Sequence, residues 1–187
     1  MSVTERTLIA CALLIAWSVP AAAREVPLAE YSIDASLINA TDVHVADLDG
    51  DGDLDVIGTA ESDTPSLLWW DNEDGDGLAM VPYTISSTLA DAQSVTTADV
   101  DGNGTMDVIA VGFAELYWFS NTTGSGSSWS GDRLAFSLDI GSDVAAGDLN
   151  GDGHTDIVVV SEGGAVTFST DDARFEVVGD TLKLREG

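Results

Sequence analysis

Three short stretches of this sequence place acidic or amide side chains on alternate positions. They read ADLDGDGDLDVI from Ala46, ADVDGNGTMDVI from Ala98 and GDLNGDGHTDIV from Gly147. Counted from the first aspartate of each, positions 1, 3, 5 and 9 always hold Asp or Asn, and positions 4 and 6 always hold Gly. Carboxylates this close repel one another and do not share a helix face at this spacing. Each stretch therefore either stays solvated or is gathered by a cation.

The spacing of these side chains suits calcium, a hard cation that takes six to eight oxygen ligands from carboxylates, amides and backbone carbonyls. Side chains at positions 1, 3, 5 and 9 with the backbone carbonyl at position 7 can wrap such an ion. The predicted ligands are Asp47, Asp49, Asp51, Asp53 (carbonyl) and Asp55 in the first loop (residues 47–55), Asp99, Asp101, Asn103, Thr105 (carbonyl) and Asp107 in the second (residues 99–107), and Asp148, Asn150, Asp152, His154 (carbonyl) and Asp156 in the third (residues 148–156). We expect about three calcium ions; the alternative is three acidic turns that stay solvated.

Two other calcium motifs do not fit. An EF-hand loop needs a glutamate at position 12 and a helix on each side. Position 12 is Gly58, Ala110 or Val159 here, and the flanking residues are typical of β-strands. The nine-residue period of calcium-binding β-helices is also absent.

The loops are part of a longer internal repeat, because their first aspartates are separated by 52 and 49 residues. Residues 31–47 and 83–99 also match at several positions, which gives units of about 50 residues. Each unit contains four short runs of β-branched, aromatic and aliphatic residues separated by Gly, Asn, Asp and Pro, and no stretch of the mature chain has a helical period. The sequence predicts an all-β fold of about three propeller-type blades, each of four antiparallel strands. In the first unit the strands are expected at about residues 43–48, 54–60, 66–71 and 80–86.

Charge excludes two classes of partner. Of 187 residues, 33 are acidic and 6 are basic, which gives a formal net charge of −27. Nucleic acids and anionic membranes are recognised largely through Lys and Arg, so neither is expected. A hydrophobic content of 44% also argues against a disordered acidic tail.

The first 23 residues predict a secretory signal. A polar start with Arg6 precedes a twelve-residue apolar run, and small residues follow up to Ala23, after which cleavage is expected. The run is shorter than the roughly 20 residues that a membrane span needs. A lipoprotein signal ending at Cys11 is the alternative. The repeat region is then residues 24–187, which contain no cysteine.

The pattern D-x-[DN]-G-[DN]-G-x-x-D, leading into one strand and followed by an aromatic strand such as LLWWDN or LYWFSN, resembles the FG-GAP/VCBS repeats of integrin-alpha-type β-propellers. The resemblance covers about residues 30–178. It implies that the calcium loop joins two adjacent strands of a blade, and that the protein is secreted or displayed on the cell surface. It also implies a binding or adhesive role toward an extracellular protein or polysaccharide.

Propellers have four to eight blades, whereas this chain holds about three. The chain is a fragment of a longer propeller, closes by self-association or stays an open arc; we expect a fragment. Two other functions stay open: part of a secreted polysaccharide-active enzyme, and a structural repeat without a specific ligand. We expect no enzymatic activity, because outside the metal loops no paired carboxylates and no Ser/His or Cys/His set are visible.

Three further features have plain structural interpretations. Trp69, Trp70 and Trp118 are expected in the core, although Trp69 and Trp70 must point to opposite faces of a strand, so that one of them can be partly exposed. Residues 71–77 predict an Asx-rich hairpin turn. Residues 120–132 suggest a flexible surface insertion.

Overall fold

A computed structural model describes residues 30–34, 36–61, 65–113, 115–134, 141–161, 166–169, 175–178 and 181–184. The predicted signal segment and its cleavage site lie outside the described residues. Within the described residues all regular structure is β-strand, and none of them forms a helix long and apolar enough to cross a membrane.

The described residues form thirteen strands. They are β1 Ala40–Ala46, β2 Asp55–Ala60, β3 Leu67–Asn72, β4 Met80–Ser86, β5 Ser94–Ala98, β6 Asp107–Val111, β7 Leu116–Asn121, β8 Trp129–Leu134, β9 Gly141–Gly147, β10 Asp156–Ser161, β11 Val166–Ser169, β12 Phe175–Val178 and β13 Thr181–Leu184. The four strands expected in the first unit are confirmed, each within three residues of its predicted ends.

Consecutive strands pair into antiparallel sheets, which we call blades. The first blade is β1-β2-β3-β4, the second is β5-β6-β7-β8, and the third is β9-β10-β11; β12 and β13 pair as a separate hairpin. The second strands of the blades carry the apolar runs DVIGTA, DVIAV and DIVVVS and are largely buried. The expectation of propeller-type blades in an incomplete array is confirmed.

The blades stack through two apolar clusters. Between the first and second blades, Ile57, Leu67 and Trp69 pack with Val108 and Phe119, and all five are at most 5% exposed. Between the second and third, Ile109, Val111 and Leu116 pack with Val144, Ile157 and Val159. The core therefore lies between sheets, so that each blade needs a neighbour to bury both of its faces.

Polar contacts fix the inner strands of neighbouring blades to one another. The Ser94 hydroxyl lies 2.9 Å from Asp42 Oδ2 in the first blade and 2.9 Å from Asp143 Oδ1 in the third. The backbone N–H of Val95 also donates to Asp42 Oδ2, at 3.0 Å. Asp42, Ser94 and Asp143 occupy the same position on the first strand of the three blades, so these polar contacts repeat with the sequence unit.

The expectation about residues 120–132 is wrong, and the expectation about the tryptophans is confirmed for two of the three. Residues 120–132 are not an insertion: β7 runs to Asn121, a turn follows, and β8 begins at Trp129 and pairs with β7. Trp69 and Trp70 lie in the core as expected, at 1% and 4% exposure, whereas Trp118 is half-buried. The second blade covers Trp69, and residues 31–34 and Leu37 lie near Trp70, whose Nε1 is 3.4 Å from Asp34 Oδ2.

The interpretation of residues 71–77 as an Asx-rich turn is confirmed. The backbone N–H groups of Gly77, Asp76 and Leu78 donate to the side-chain oxygens of Asn72, Asp74 and Asp76, respectively.

Candidate metal centres

The three acidic loops occupy the same place in their blades. Each begins at the end of the first strand and ends where the second strand starts, so that it closes the β1–β2, β5–β6 or β9–β10 hairpin. The glycine at position 6 has a backbone φ of 101°, 88° and 89° in the three loops. A side chain is strained in that left-handed region, which explains glycine there.

One ladder of hydrogen bonds recurs in all three loops. The N–H of position 6 donates to the Oδ2 of position 1, at 3.1, 2.9 and 2.9 Å in chain order. The N–H of position 5 donates to the Oδ1 of position 3, at 3.2, 3.1 and 2.8 Å. The N–H of position 7 donates to the Oδ1 of position 5, at 2.9, 2.8 and 2.9 Å. These bonds hold the oxygens of positions 1, 3 and 5 in place.

The aspartate at position 9 is the most buried member of each loop, at 1% exposure for Asp55 and 0% for Asp107 and Asp156. Its Oδ2 accepts the backbone N–H of position 2, at 2.9, 3.1 and 2.9 Å in chain order. Its Oδ1 accepts the backbone N–H of Asn72 in the first blade, at 3.0 Å, and of Asn121 in the second, at 2.8 Å. In the third loop the buried Oδ1 of Asp156 has no partner among the described residues. In the first two blades this aspartate therefore ties the loop to the third strand.

Two loops bring three carboxylates together. In each, one oxygen from position 1, one from position 3 and one from position 9 lie within 4.8 Å of one another; the groups are Asp47, Asp49, Asp55 and Asp99, Asp101, Asp107. Asp51, the predicted ligand at position 5, is not part of the first group. In the third loop position 3 is Asn150, so one of these three oxygens comes from an amide.

The donor set of these groups fits a hard divalent cation. The ligand atoms are oxygens, and the ion pair found among the described residues joins Arg133 of β8 to Glu115, directly before β7, and uses none of them. Either carboxylate group could therefore hold a metal ion, and calcium is the ion that prefers such ligands at such spacing.

Electrostatic strain is concentrated at the first loop. Burial raises the pKa of Asp49, and the neighbouring carboxylates of Asp51 and Asp47 raise it further. Burial likewise raises the pKa of Asp55, against the effect of the two N–H groups that donate to it. The pKa of Asp71 rises to about 6, first because of burial and then because of neighbouring carboxylates, Asp49 foremost.

Asp71 is a site residue that the sequence analysis did not identify. It lies on β3, one residue before Asn72, and corresponds to Ser120, one residue before Asn121. Ser120 Oγ donates to Asp101 Oδ2 at 3.3 Å in the second loop. In the first loop a carboxylate takes the place of that donor. An alignment of residues 70–72 (WDN) with residues 119–121 (FSN) would have shown that Asp71 replaces Ser120.

Asn72 and Asn121 are further structural residues of the site. Besides donating to the aspartate at position 9, each accepts the N–H of a turn glycine, Gly77 at 2.9 Å or Gly126 at 3.2 Å. Each also donates its amide Nδ2 to the backbone carbonyl of position 8 in the adjacent loop, at 3.2 and 3.3 Å. They join the loop end to the hairpin of the next two strands.

The loops also contact the following blade. Asn121 Nδ2 donates to the backbone carbonyl of Leu48 in the first loop, at 2.7 Å. Thr155 Oγ1, in the third loop, donates to the backbone carbonyl of Asp99 in the second, at 2.8 Å. A groove of about 480 Å³ separates the first and second loops, with Leu54 and Met106 among its lining residues. A change in one loop therefore reaches the packing of two blades.

Comparison with known proteins identifies the repeat. The family model described as FG-GAP-like repeat matches residues 47–110 and 105–159. The three acidic loops lie inside these matches. No curated protein sequence matches the chain at a significant level.

Proposed function

The chain belongs to the FG-GAP-like repeat family, and from this premise we propose that it is an extracellular calcium-binding module of propeller-type blades. Its role is to bind an extracellular protein or polysaccharide, and calcium stabilises the blades that present the binding surface. Repeats of this family are generally binding or structural modules, which favours this role over catalysis.

The observation that carries the proposal is that three loops of different sequence add a buried aspartate at position 9 to the same hydrogen-bond ladder. The residues at positions 7 and 8 vary freely between the loops, whereas positions 1, 3, 5 and 9 keep Asp or Asn. The turn at residues 72–78 has the same ladder but Met80 at position 9, so the buried aspartate distinguishes the three loops from a solvated turn. Two of the loops also gather three carboxylate oxygens within 4.8 Å of one another.

The loop residues have distinct parts in such a site. Positions 1, 3 and 5 present oxygens that the backbone N–H groups hold in place. Position 9 supplies a buried carboxylate and, in the first two blades, couples the loop to the third strand. Bound calcium would supply the positive charge that offsets the mutual repulsion of these carboxylates.

Stability in the presence and absence of calcium tests the proposal. At a calcium concentration about 100-fold above the dissociation constant, each independent site adds roughly 2.7 kcal/mol to the free energy of unfolding. Three sites add about 8 kcal/mol, which is comparable to the whole stability of a typical domain, about 5–15 kcal/mol. We expect a chelator to lower the melting temperature by tens of degrees or to unfold the protein.

Calorimetric titration of the chelated protein should show about three calcium ions rebinding. Magnesium is the matched control, and we expect it to restore stability poorly because it demands near-octahedral geometry and dehydrates reluctantly. Identical melting curves in calcium and in chelator would contradict the proposal and leave the loops as solvated turns.

Export and ligand binding need separate tests. N-terminal sequencing of the secreted protein should give Arg24 as the first residue; a lipid-modified Cys11 would instead indicate a membrane-anchored lipoprotein. Capture of extracellular polysaccharides or surface proteins should require calcium and fail in chelator. Capture that is equal in both would separate ligand binding from the calcium sites, and turnover of a captured glycan would identify an enzyme.

A further inference from the structure

The chain makes the same blade-to-blade interface twice. At the first interface the second blade presents Val95, Val108 and Phe119 to the first blade, and all three are at most 5% exposed. At the second interface the third blade presents Val144 and Ile157 to the second. The strand registers make these positions equivalent, since Val95 lies opposite Ala110 and Val144 opposite Val159.

The first blade carries the same face without a blade on it. Val43, opposite Gly58, is the counterpart of Val95 and Val144. It is 66% exposed, whereas Val95 is 3% and Val144 is 6% exposed. Val45, on the same face of β1, is 54% exposed. Residues 31–34 and Leu37 border the part of the face near Trp70 and leave a groove of about 340 Å³ that Val43 and Val56 also line.

The third blade carries the complementary face. In the first two blades this face holds Thr59 and Val111, which the following blade buries completely. Their counterpart in the third blade is Val160, which lies opposite Asp143 in the register and is 39% exposed. The two halves of an interface that forms twice inside the chain are therefore both present, and both are exposed, at opposite ends of the stack.

We propose that a second copy of this chain docks end to end, with the first blade of one copy against the third blade of the other, and continues the blade-to-blade interface. The occupant is a second copy because the same chain carries both complementary faces and already joins them between its own blades. If further blades of a longer chain covered Val160 instead, the protein would stay monomeric. Such contact is heterologous, since two different surfaces meet. The proposal does not depend on calcium binding or on an external ligand.

The net charge of −27 sets the expected salt dependence. Two such copies repel one another, and salt weakens this repulsion. At physiological ionic strength the Debye length is about 8 Å, so charges farther apart than this are largely screened. We therefore expect sedimentation velocity to show association that increases with protein concentration and with salt.

Single substitutions on each face provide the main test. Val43→Asp and Val160→Asp each place an unpaired carboxylate in the proposed contact, and we expect each to weaken association by about 100-fold or more. Val45→Asp is the second variant on the first face, in case Val43→Asp perturbs folding. Phe113→Asp is the matched control, because Phe113 is 53% exposed on the second blade, which is an end face of neither copy. It should associate like the unchanged protein.

Mixing the two variants separates this arrangement from the alternatives. Val43→Asp retains an intact third-blade face and Val160→Asp an intact first-blade face, so the mixture should form mixed pairs although neither variant associates alone. A protein that stays monomeric at all concentrations would overturn the proposal. So would a dimer that Val43→Asp abolishes and Val160→Asp leaves intact, since that pattern indicates two first-blade faces in contact.

Calcium titration of the same samples keeps this result distinct from the proposed function. The variants lie outside the acidic loops, so we expect the number of calcium ions bound to be unchanged. Loss of association with normal calcium binding is therefore the supporting result. Loss of both would show that the substitutions disturb the fold and would remove support from the docking surface.

Discussion

The first and second acidic loops share a backbone but differ in what surrounds their carboxylates. Both have the same hydrogen-bond ladder and the same three gathered aspartates. In the second loop, side chains donate to that set: Trp118 Nε1 to Asp107 Oδ2 at 3.0 Å and Ser120 Oγ to Asp101 Oδ2 at 3.3 Å. Thr105 Oγ1 also donates to Asn103 Oδ1, at 2.6 Å.

The first loop has a carboxylate in place of two of these donors: Asp53 replaces Thr105 at position 7, and Asp71 replaces Ser120. Position 5 is also a carboxylate in the first loop, Asp51, where the second loop has an amide. The counterpart of Trp118 is Trp69, whose buried Nε1 has no hydrogen-bond partner among the described residues. The same loop backbone can thus have its carboxylates stabilised by hydrogen bonds from its own side chains, as in the second loop, or need a cation to offset their repulsion, as in the first. We expect the first loop to need calcium more than the second.

The largest expected effect comes from removing the aspartate at position 9. Asp55→Ala leaves two backbone N–H groups without an acceptor, and Asp107→Ala leaves two backbone N–H groups and the indole N–H of Trp118, at a cost of about 1–3 kcal/mol for each buried group. Each variant should therefore lose about 2–6 kcal/mol of unfolding free energy without calcium, measured by denaturant unfolding. Each should also bind one calcium ion fewer. A variant that lost calcium binding without losing stability would show that the aspartate is a ligand only.

A smaller effect is expected from exchanging Asp71 and its counterpart Ser120. The two reciprocal substitutions should change the free energy of unfolding in opposite directions. Asp71→Ser removes a carboxylate from the first loop and should raise the calcium-free unfolding free energy by up to about 1 kcal/mol, since solvent screens part of the repulsion. The reciprocal variant, Ser120→Asp, should lower it. If both variants changed stability in the same direction, the charge difference between the loops would not explain their behaviour.

The pKa shifts predict how the stability of the calcium-free protein varies with pH. The pKa of Asp71 is about 6 in the folded state and 3.8 ordinarily, and those of Asp49 and Asp55 are also raised. Between these pH values the folded state binds more protons than the unfolded state, so the free energy of unfolding should fall as the pH rises from about 4 to about 6. Denaturant unfolding across this range measures the slope. Asp71→Ser should make it shallower, and an unchanged slope would assign it to other groups.

The smallest effect is expected at position 7, where the loops differ most in residue type. His154 donates its backbone N–H to Asp152 Oδ1 at 2.9 Å, and its side chain is exposed. His154→Ala should leave the calcium affinity of the third loop within a few-fold of the original, whereas Asp156→Ala should abolish that site. Equal losses in the two variants would mean that position 7 contributes through its side chain, and the ligand assignment would be wrong.

The sequence determined the strands and loops that depend on local chemistry. Runs of β-branched residues between glycine and aspartate turns gave the strands of the first blade within three residues. The repeat spacing gave the blades. The acidic loops followed from residue type and interval alone, because their ladder joins residues at most five positions apart.

The strand β8 shows where local patterns fail. Its sequence WSGDRL contains glycine and two charges, and four of its six residues are exposed. Nothing in it alternates between apolar and polar residues. It is a strand because β7 offers an unpaired edge, along which Asn121 pairs with Trp129 and Leu116 with Leu134. The pairing partner, and not the segment itself, decides its structure.

The remaining features were decided by tertiary contact. The burial of both Trp69 and Trp70 requires a blade on one face and residues 31–34 and Leu37 on the other. The raised pKa of Asp71 arises because the third strand brings it beside a loop sixteen or more residues earlier in the chain. The exposure of Val43, where its counterparts are buried, depends on which blade has a neighbour. Sequence alone specified the repeated unit, because its bonds are local; the stacking of units decided which faces and charges are buried, because those contacts join residues about 50 positions apart.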